Sequence, residues 1–155
     1  MKPVQAIYCN GFEPLQLIGK APILTGWQSL AINEAVIGDW ANTGPNTGIR
    51  TAGAPAIDVD VLDPDAARVA RDTLHGLLDG KGKILARVGR HPKFAILLRT
   101  ETPFKKIVRK FRDKDGKVHK IEVLANGQQI AVAGIHPDTK EPFGWRGGAA
   151  ACRRR

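Results

Sequence analysis

Two aspartates separated by one residue are the first candidates for chemistry in this chain of 155 residues. In the stretch IDVDVL (57–62), the alternation of a strand would place Asp58 and Asp60 on one face and the apolar side chains on the other. Their Cα atoms would lie roughly 6.5–7 Å apart, so both carboxylates could reach one divalent ion or bridge two. Hard oxygen ligands suit Mg²⁺ or Mn²⁺. The alternative is a solvated strand face without a metal.

The next two aspartates, Asp63 and Asp65, have a structural explanation. They begin the segment DPDAARVARDTLHGLLDG, in which Asp63 is a candidate N-cap and Pro64 occupies the first helical position. Asp65 would face the positive end of the helix, and Gly80 would end it. The apolar stripe predicted for this helix comprises Ala66, Val69, Ala70, Thr73, Leu74, Leu77 and Leu78.

A second candidate cluster lies in RVGRHPKFAILLR, where Arg87, Arg90, His91 and Lys93 surround a Gly/Pro loop. Guanidinium and ammonium groups at such a loop could hold a triphosphate, although a cationic hairpin tip has the same composition. Glu122 alternates with strand apolar residues further along the chain. A lone strand carboxylate is usually solvated, so its role depends on whether it faces the two aspartates.

The positive charge of the chain is concentrated in one block. Residues 81–120 carry fourteen Lys or Arg and three acids, whereas residues 1–80 carry five and nine. Such a block on a folded domain favours contact with phosphates, and a solvated cationic surface is the alternative. No apolar run approaches 20 residues, and Cys9 and Cys152 form neither a zinc motif nor a disulfide framework. We therefore expect a cytoplasmic protein without a membrane span or secretory leader.

The pattern of elements predicts an α+β fold. A helix is expected over 32–42 with Asn33 near its start, then turn residues over 42–48, two short strands, the helix after Asp63, and four or five mostly antiparallel strands. The hairpin signal DKDG joins two of those strands, and Asn126-Gly127 marks another turn. A chain of this length is predicted to be one domain over 1–155.

In this order the motifs resemble the primase–polymerase domain of the archaeo-eukaryotic primase superfamily, found in replication proteins of plasmids, phages and prophages. GKAPILTGW (19–27) is similar to the family's early K-x-P…W segment, and PNTGIRTAGAPAIDVDVLD (45–63) to its N-x-G-I…D-h-D stretch, where h is hydrophobic. IEVLANGQQIAVAGIHPDTKEPFGW (121–145) resembles the family's ending. The sequence departs from the family at the second motif, where GRHPKFAILLR replaces the usual small-x-His.

The resemblance implies a catalytic core with an RRM-like sheet and an N-terminal α/β unit. It also implies two-metal nucleotidyl transfer on single-stranded DNA, with Asp58, Asp60 and Glu122 as catalytic ligands of Mg²⁺ or Mn²⁺. The implied contacts to the incoming dNTP or NTP are Lys93, His91, Arg87, Arg90 and His136. The implied contacts to DNA are Lys105, Lys106, Arg109, Lys110 and Arg112. A longer bacterial, archaeal, phage or plasmid replication protein with a helicase is the expected context.

Two other functions compete with this interpretation. A catalytically silent nucleic-acid-binding module is the alternative, although aromatic residues make up only 6% of the chain and no strand shows paired stacking aromatics. A rolling-circle initiator needs a His-x-His pair and a nucleophilic tyrosine, and the chain has no such pair and only Tyr8.

Overall fold

Two antiparallel sheets form the framework of residues 2–44 and 46–147, the part of the chain that the computed structural model describes. Within these residues the helices are α1 (Pro3–Cys9), α2 (Glu34–Trp40) and α3 (Pro64–Leu78), with a 3₁₀ turn at Trp27–Ser29. The terminal CRRR segment with Cys152, and Pro45 of the predicted turn, lie outside the described residues. No helix in the described ranges is long and apolar enough to cross a membrane.

The smaller sheet has the strand order β2–β1–β3–β9. Its strands are β1 (Pro14–Ile18), β2 (Ala21–Pro22), β3 (Asn46–Arg50) and β9 (Gln129–Ala133). The sequence patterns did not predict α1, β1 or β2, and the turn predicted over 42–48 is shortened because β3 already begins at Asn46. The N-terminal unit is thus completed by β9, a strand from the other end of the chain.

The larger sheet has the strand order β10–β5–β6–β4–β8–β7, with every neighbouring pair antiparallel. Its strands are β4 (Ala56–Asp60), β5 (Leu85–Val88), β6 (Phe94–Leu97), β7 (Ile107–Arg112), β8 (Val118–Leu124) and β10 (Gly144–Arg146). The α+β prediction is therefore confirmed. The RRM-like detail stays a prediction.

Each face of the larger sheet is covered by a different layer. Alternation along β4 sends Val59 to the side of α3, where it packs with Phe94 and Ile96, and sends Ala56 to the opposite side, where it packs with Ile49 of the smaller sheet. Asp58 and Asp60 share the face of Ala56. The predicted alternation therefore holds, and it directs both aspartates toward the cleft between the sheets.

Helix α3 begins and ends where the sequence predicted. The Asp63 side chain accepts a hydrogen bond from the backbone N–H of Ala66 (2.7 Å), and Gly80 follows the helix with φ +71°. The predicted apolar stripe was wrong at three positions, since Val69 and Leu77 are 57% and 65% exposed and Thr73 is exposed as well. Ala67 is the most deeply buried residue of α3, and it packs with Val59 of β4 and with Phe94 and Ile96 of β6.

The predicted hairpin between β7 and β8 is also confirmed. The Asp113 carboxylate accepts the N–H groups of Asp115 and Lys117 (2.9 Å each), and Gly116 adopts φ +78°. A buried contact between His119 Nε2 and Asp113 Oδ2 (2.7 Å) holds the base of this turn. The hairpin thus carries the last part of the basic block, and β7 forms the edge of the larger sheet.

Candidate active site

The carboxylates singled out from the sequence meet on two adjacent strands. β4 and β8 pair so that Asp58 lies directly opposite Glu122, and Asp60 lies opposite Lys120. Side chains at directly opposed positions of an antiparallel pair project from the same face. Glu122 therefore shares a face of the sheet with both aspartates, which the sequence alone could not show.

Each of these carboxylates has a cationic neighbour. Arg87 Nη2 lies 3.6 Å from Asp58 Oδ1, and the Lys93 ammonium contacts Asp60 Oδ1. Glu122 is held on both oxygens, by Lys106 at 2.7 Å and by Lys120 at 2.8 Å. Lys120 also lies 3.9 Å from Asp60 Oδ2, so one ammonium group connects two of the three acids.

The two opposed acids have contrasting electrostatic environments. Burial raises the pKa of Asp58, and repulsion from Asp60 and Glu122 adds to this, although the Arg87 guanidinium acts in the opposite direction. Burial also acts to raise the pKa of Glu122, but the hydrogen bonds from the two lysines outweigh it and leave that pKa lowered. Lys106 and Lys120 therefore balance the charge of Glu122, whereas the ionised form of Asp58 is disfavoured despite Arg87, and a further cation would stabilise it.

The two aspartates form part of the wall of a cavity of about 220 Å³ between the sheets. The remaining polar lining is mostly cationic and comprises Lys20, Arg87, Arg90, Lys93, His136 and Gln129. The fold thus brings four of the five predicted nucleotide contacts together. His91 is the exception, because its side chain is exposed on the loop and is not part of the cavity wall.

Arg87 is the most informative of these cations. It is 8% exposed, its guanidinium carbon lies 5.1 Å from the centre of the Phe143 ring, and its Nε has no hydrogen-bond partner within the described residues. Burial lowers the pKa of Arg87, and Asp58 counteracts this. A buried guanidinium that retains an unused donor and faces a cavity is a suitable partner for an anion.

His136 presents a fixed tautomer to the same cavity. Its Nδ1 accepts the backbone N–H groups of Asp138 (3.2 Å) and Thr139 (3.4 Å), so the proton of the neutral ring lies on Nε2. Burial lowers the pKa of His136, as do the nearby charges of Lys20 and Arg87. The ring is therefore a neutral hydrogen-bond donor at physiological pH.

Gly89 allows the ring of His136 to approach the basic loop. A Cβ atom at this position would lie 2.7 Å from Cδ2 of His136 and 2.9 Å from Cε1 of Phe143. The two rings pack edge to face with their centres 5.5 Å apart. Absence of a side chain at Gly89 is thus what lets the loop between β5 and β6 close over His136.

Lys20 is a cavity residue that the sequence reasoning did not assign to the site, and Asn46 explains its position. The Asn46 amide donates to the carbonyls of Gly19 and Ile135 (2.8 Å each) and accepts the N–H of Ile135 (2.8 Å). These bonds tie the residue before Lys20 to the residue before His136. The K-x-P and N-x-G-I patterns in the sequence were the signals that could have identified both positions.

The predicted DNA-contacting residues divide between the two faces of β7. Val108 and Lys110 lie opposite Glu122 and Lys120 and share the face of the carboxylates, whereas Arg109 lies opposite Ile121 on the side of α3. Lys106 reaches the carboxylate face through its contact with Glu122. Arg112, opposite Val118, continues the row of Lys110, and Lys105 is exposed before the strand begins.

The donor chemistry of the site fits a divalent ion at the two aspartates, which are hard oxygen ligands that face one cavity and repel each other. Among residues 2–44 and 46–147, however, no group of three or more His, Cys, Asp or Glu side chains is arranged to hold a metal. Glu122 is engaged by lysines on both oxygens. An ion bound to Glu122 would compete with those lysines, while Asp58 and Asp60 meet the cavity directly.

A sheet that presents carboxylates beside a cationic cavity has the parts of a nucleotide-handling domain. The family described as "Bifunctional DNA primase/polymerase, N-terminal" matches residues 6–153, nearly the whole chain, and the protein belongs to that family. This confirms the resemblance that the motifs indicated and places the chain among primase/polymerase-type nucleotidyltransferase domains of DNA replication. No curated protein matches the chain.

Proposed function

We propose that the protein is a DNA-dependent nucleotidyltransferase that joins nucleotides on a single-stranded DNA template with the aid of divalent metal ions. The observation that carries this proposal is the cavity between the sheets, where Asp58 and Asp60 adjoin a buried arginine with an unused donor. A carboxylate pair beside concentrated positive charge matches a substrate that combines a triphosphate with divalent ions.

The cations of the cavity would bind the triphosphate of the incoming nucleotide. Arg87 supplies a rigid, buried guanidinium, and His136 supplies a neutral Nε2–H donor in a fixed orientation. Lys20 reaches the cavity from the smaller sheet. Groups held by two different sheets around one anion would orient it without large movements of the side chains, which favours transfer.

Asp58 and Asp60 are the residues that would hold Mg²⁺ or Mn²⁺. When bound, such ions stabilise the charge that develops on the transferring phosphoryl group and on the attacking and leaving oxygens. Glu122 would join them if Lys106 and Lys120 release its oxygens. In their present positions these lysines hold Glu122 ionised and keep it on the shared face.

The basic hairpin would hold DNA. Lys106, Lys110 and Arg112 lie along the carboxylate side of β7, which exposes their charges beside the site. Lysine and arginine contacts to the phosphodiester backbone are largely independent of sequence and weaken with salt. Arg109 belongs to the other face and is not expected to contact the same strand of DNA.

A second candidate function is a nucleic-acid-binding module without catalysis. It is favoured by one observation, the engagement of both Glu122 oxygens by lysines, because only Asp58 and Asp60 then line the cavity where the family pattern has three carboxylates. This alternative predicts DNA binding that is independent of divalent ions.

Primer extension with Mn²⁺ and dNTPs separates the two functions. We expect metal-dependent extension by the wild type and a decrease of at least about 100-fold in Asp58→Ala/Asp60→Ala, since both cavity carboxylates are removed. The matched control is Asp63→Ala/Asp65→Ala, which removes two nearby carboxylates from the helix start and should retain extension. DNA binding, measured by fluorescence anisotropy, should persist in both variants. A wild type that binds DNA but shows no metal-dependent extension would instead establish the silent module.

A further inference from the structure

A second cavity lies on the other side of the Asp60–Lys93 ion pair. It measures about 220 Å³, and both residues of that pair also line the first cavity. The lysines around it are Lys93, Lys110, Lys117 and Lys120. They come from the loop before β6, from β7, from the residue before β8 and from β8 itself. The fold therefore builds this cavity from separate segments of the sequence.

The charges of this second cavity are not balanced within the protein. Lys93 contacts Asp60, and Lys120 contacts Glu122. Neither Lys110 nor Lys117 has an ion pair with any residue in the described part of the chain. Two positive charges therefore remain available to an anion at this position.

The strand register places Lys110 beside a lysine whose charge is already balanced. Lys110 lies directly opposite Lys120 in the pairing of β7 with β8, and Lys120 is held by Glu122 at 2.8 Å and lies 3.9 Å from Asp60. Lys110 and Lys117 therefore supply the unbalanced charge of the cavity, which has room for a phosphate.

Resting on the proposed function, we propose that this cavity binds a phosphate of the strand that is being extended. Transfer of a nucleotidyl group proceeds in line, so the attacking 3′-oxygen approaches from the side opposite the leaving pyrophosphate. The first cavity would hold the triphosphate, and the second lies across Asp60 from it. The phosphate there would belong either to the primer backbone or, when synthesis starts without a primer, to the 5′-triphosphate of the first nucleotide.

The test compares Lys110→Ala/Lys117→Ala with the charge-matched control Arg109→Ala/Lys114→Ala. The control removes two cations from the same hairpin, one on the face of α3 and one in the turn, and neither lines the cavity. Binding of a primer–template duplex is measured by fluorescence anisotropy over a salt series from about 50 to 300 mM. Phosphate contacts weaken steeply over roughly this range. We expect the slope of log K against log salt to fall in magnitude by about 0.7–0.9 in the cavity variant only, because one phosphate contact is lost.

Kinetic measurements distinguish the two sources of phosphate. If the phosphate belongs to the primer backbone, the cavity variant should raise the KM for the primed duplex and change the KM for the incoming nucleotide little. If it belongs to the triphosphate of the first nucleotide, the cavity variant should still extend a primer but should synthesise less from an unprimed template. Equal salt slopes for the duplex, together with equal affinity of the two double variants for a nucleoside triphosphate, would overturn the proposal. Neither binding measurement depends on catalysis, so the two measurements decide the proposal even if no extension is observed.

Discussion

Asp58 and Glu122 lie directly opposite each other on β4 and β8, but their surroundings shift their pKa values in opposite directions. Glu122 accepts two lysine ammonium groups, whereas Asp58 has one arginine at 3.6 Å and two acidic neighbours. The pKa of Asp58 is raised, chiefly by burial. The pKa of Glu122 is lowered, because its two lysine hydrogen bonds outweigh the effect of burial. Of these two opposed carboxylates, the ionised form of Glu122 stabilises the folded protein and the ionised form of Asp58 destabilises it.

Neutralising either acid should therefore change the free energy of unfolding with opposite sign. Asp58→Asn should stabilise the protein at pH 7, because a carboxyl group with a raised pKa favours folding when it is uncharged. Glu122→Gln should destabilise it by about 1–2 kcal/mol through the loss of two ion pairs. Urea unfolding at pH 7 measures both effects.

The pH dependence provides an internal check on these two variants. The contribution of Asp58 is fully present below the ordinary carboxyl pKa and is lost as pH rises through its raised folded-state pKa. The contribution of Glu122 is present above the ordinary pKa and is lost as pH falls through its lowered one. Asp58→Asn and Glu122→Gln should each remove one of these slopes from the unfolding profile between roughly pH 3 and 7. Equal changes in stability at all pH values would contradict this account.

Asp63 should affect stability without affecting chemistry. Its side chain caps α3 by accepting the N–H of Ala66, and it lines neither lysine-containing cavity. Asp63→Ala should lower the free energy of unfolding by about 1 kcal/mol, while Asp63→Asn, which retains an acceptor, should lower it less. Thermal unfolding followed by circular dichroism measures the difference, and nucleotide binding at low temperature should be unchanged in both variants.

The different positions of Asp58 and Asp60 on a strand and of Asp63 and Asp65 at a helix start could be predicted from the sequence. Strict alternation places Asp58 and Asp60 on one face, and the Asp-Pro-Asp start defines α3, because both patterns reflect local backbone geometry. The position of Lys20 could not be inferred locally. It reaches the cavity through a turn between β1 and β2 that is tied, by Asn46, to Ile135, which lies 89 residues beyond Asn46 in the sequence.

The sequence alone also could not show which basic residues share a face of β7. The sequence marks residues 105–112 as basic, but only the register with β8 reveals that Lys110 joins the carboxylate side and Arg109 does not. The error in the apolar stripe of α3 has a related cause, since helical periodicity allows Val69 or Ala67 to face the sheet. Close packing against Phe94 and Ile96 decides in favour of the smaller residue.

Asn46 should act as a positioning residue for the nucleotide. Asn46→Asp keeps the acceptor for the N–H of Ile135 but replaces both donors to the carbonyls of Gly19 and Ile135 with oxygen. We expect the KM for the incoming nucleotide to rise roughly tenfold, because Lys20 and His136 lose their shared support, with a smaller effect on kcat.

The matched control for Asn46 is Gln16→Glu. Gln16 lies in the same sheet and donates its amide to Thr43 at 2.8 Å and 3.0 Å, at a half-buried position away from the first cavity. It therefore undergoes the same amide-to-acid change without a link to the site. An equal rise in KM in both variants would show that the effect is a general loss of sheet stability, and would contradict the positioning role.

His136 should titrate below its ordinary pKa of 6.5 in the free protein, because burial and the charges of Lys20 and Arg87 disfavour the imidazolium. NMR titration of the ring, assigned with His136→Gln, measures this directly. In the unfolded chain this histidine takes up a proton near pH 6.5, whereas in the folded protein it does so only at a lower pH. Stability should therefore fall as pH decreases from 6.5 to the folded-state pKa, and His136→Gln should remove that slope. Addition of a nucleoside triphosphate should raise the pKa, because a bound phosphate favours the charged ring. A pKa unchanged by the nucleotide would show that His136 does not face the triphosphate.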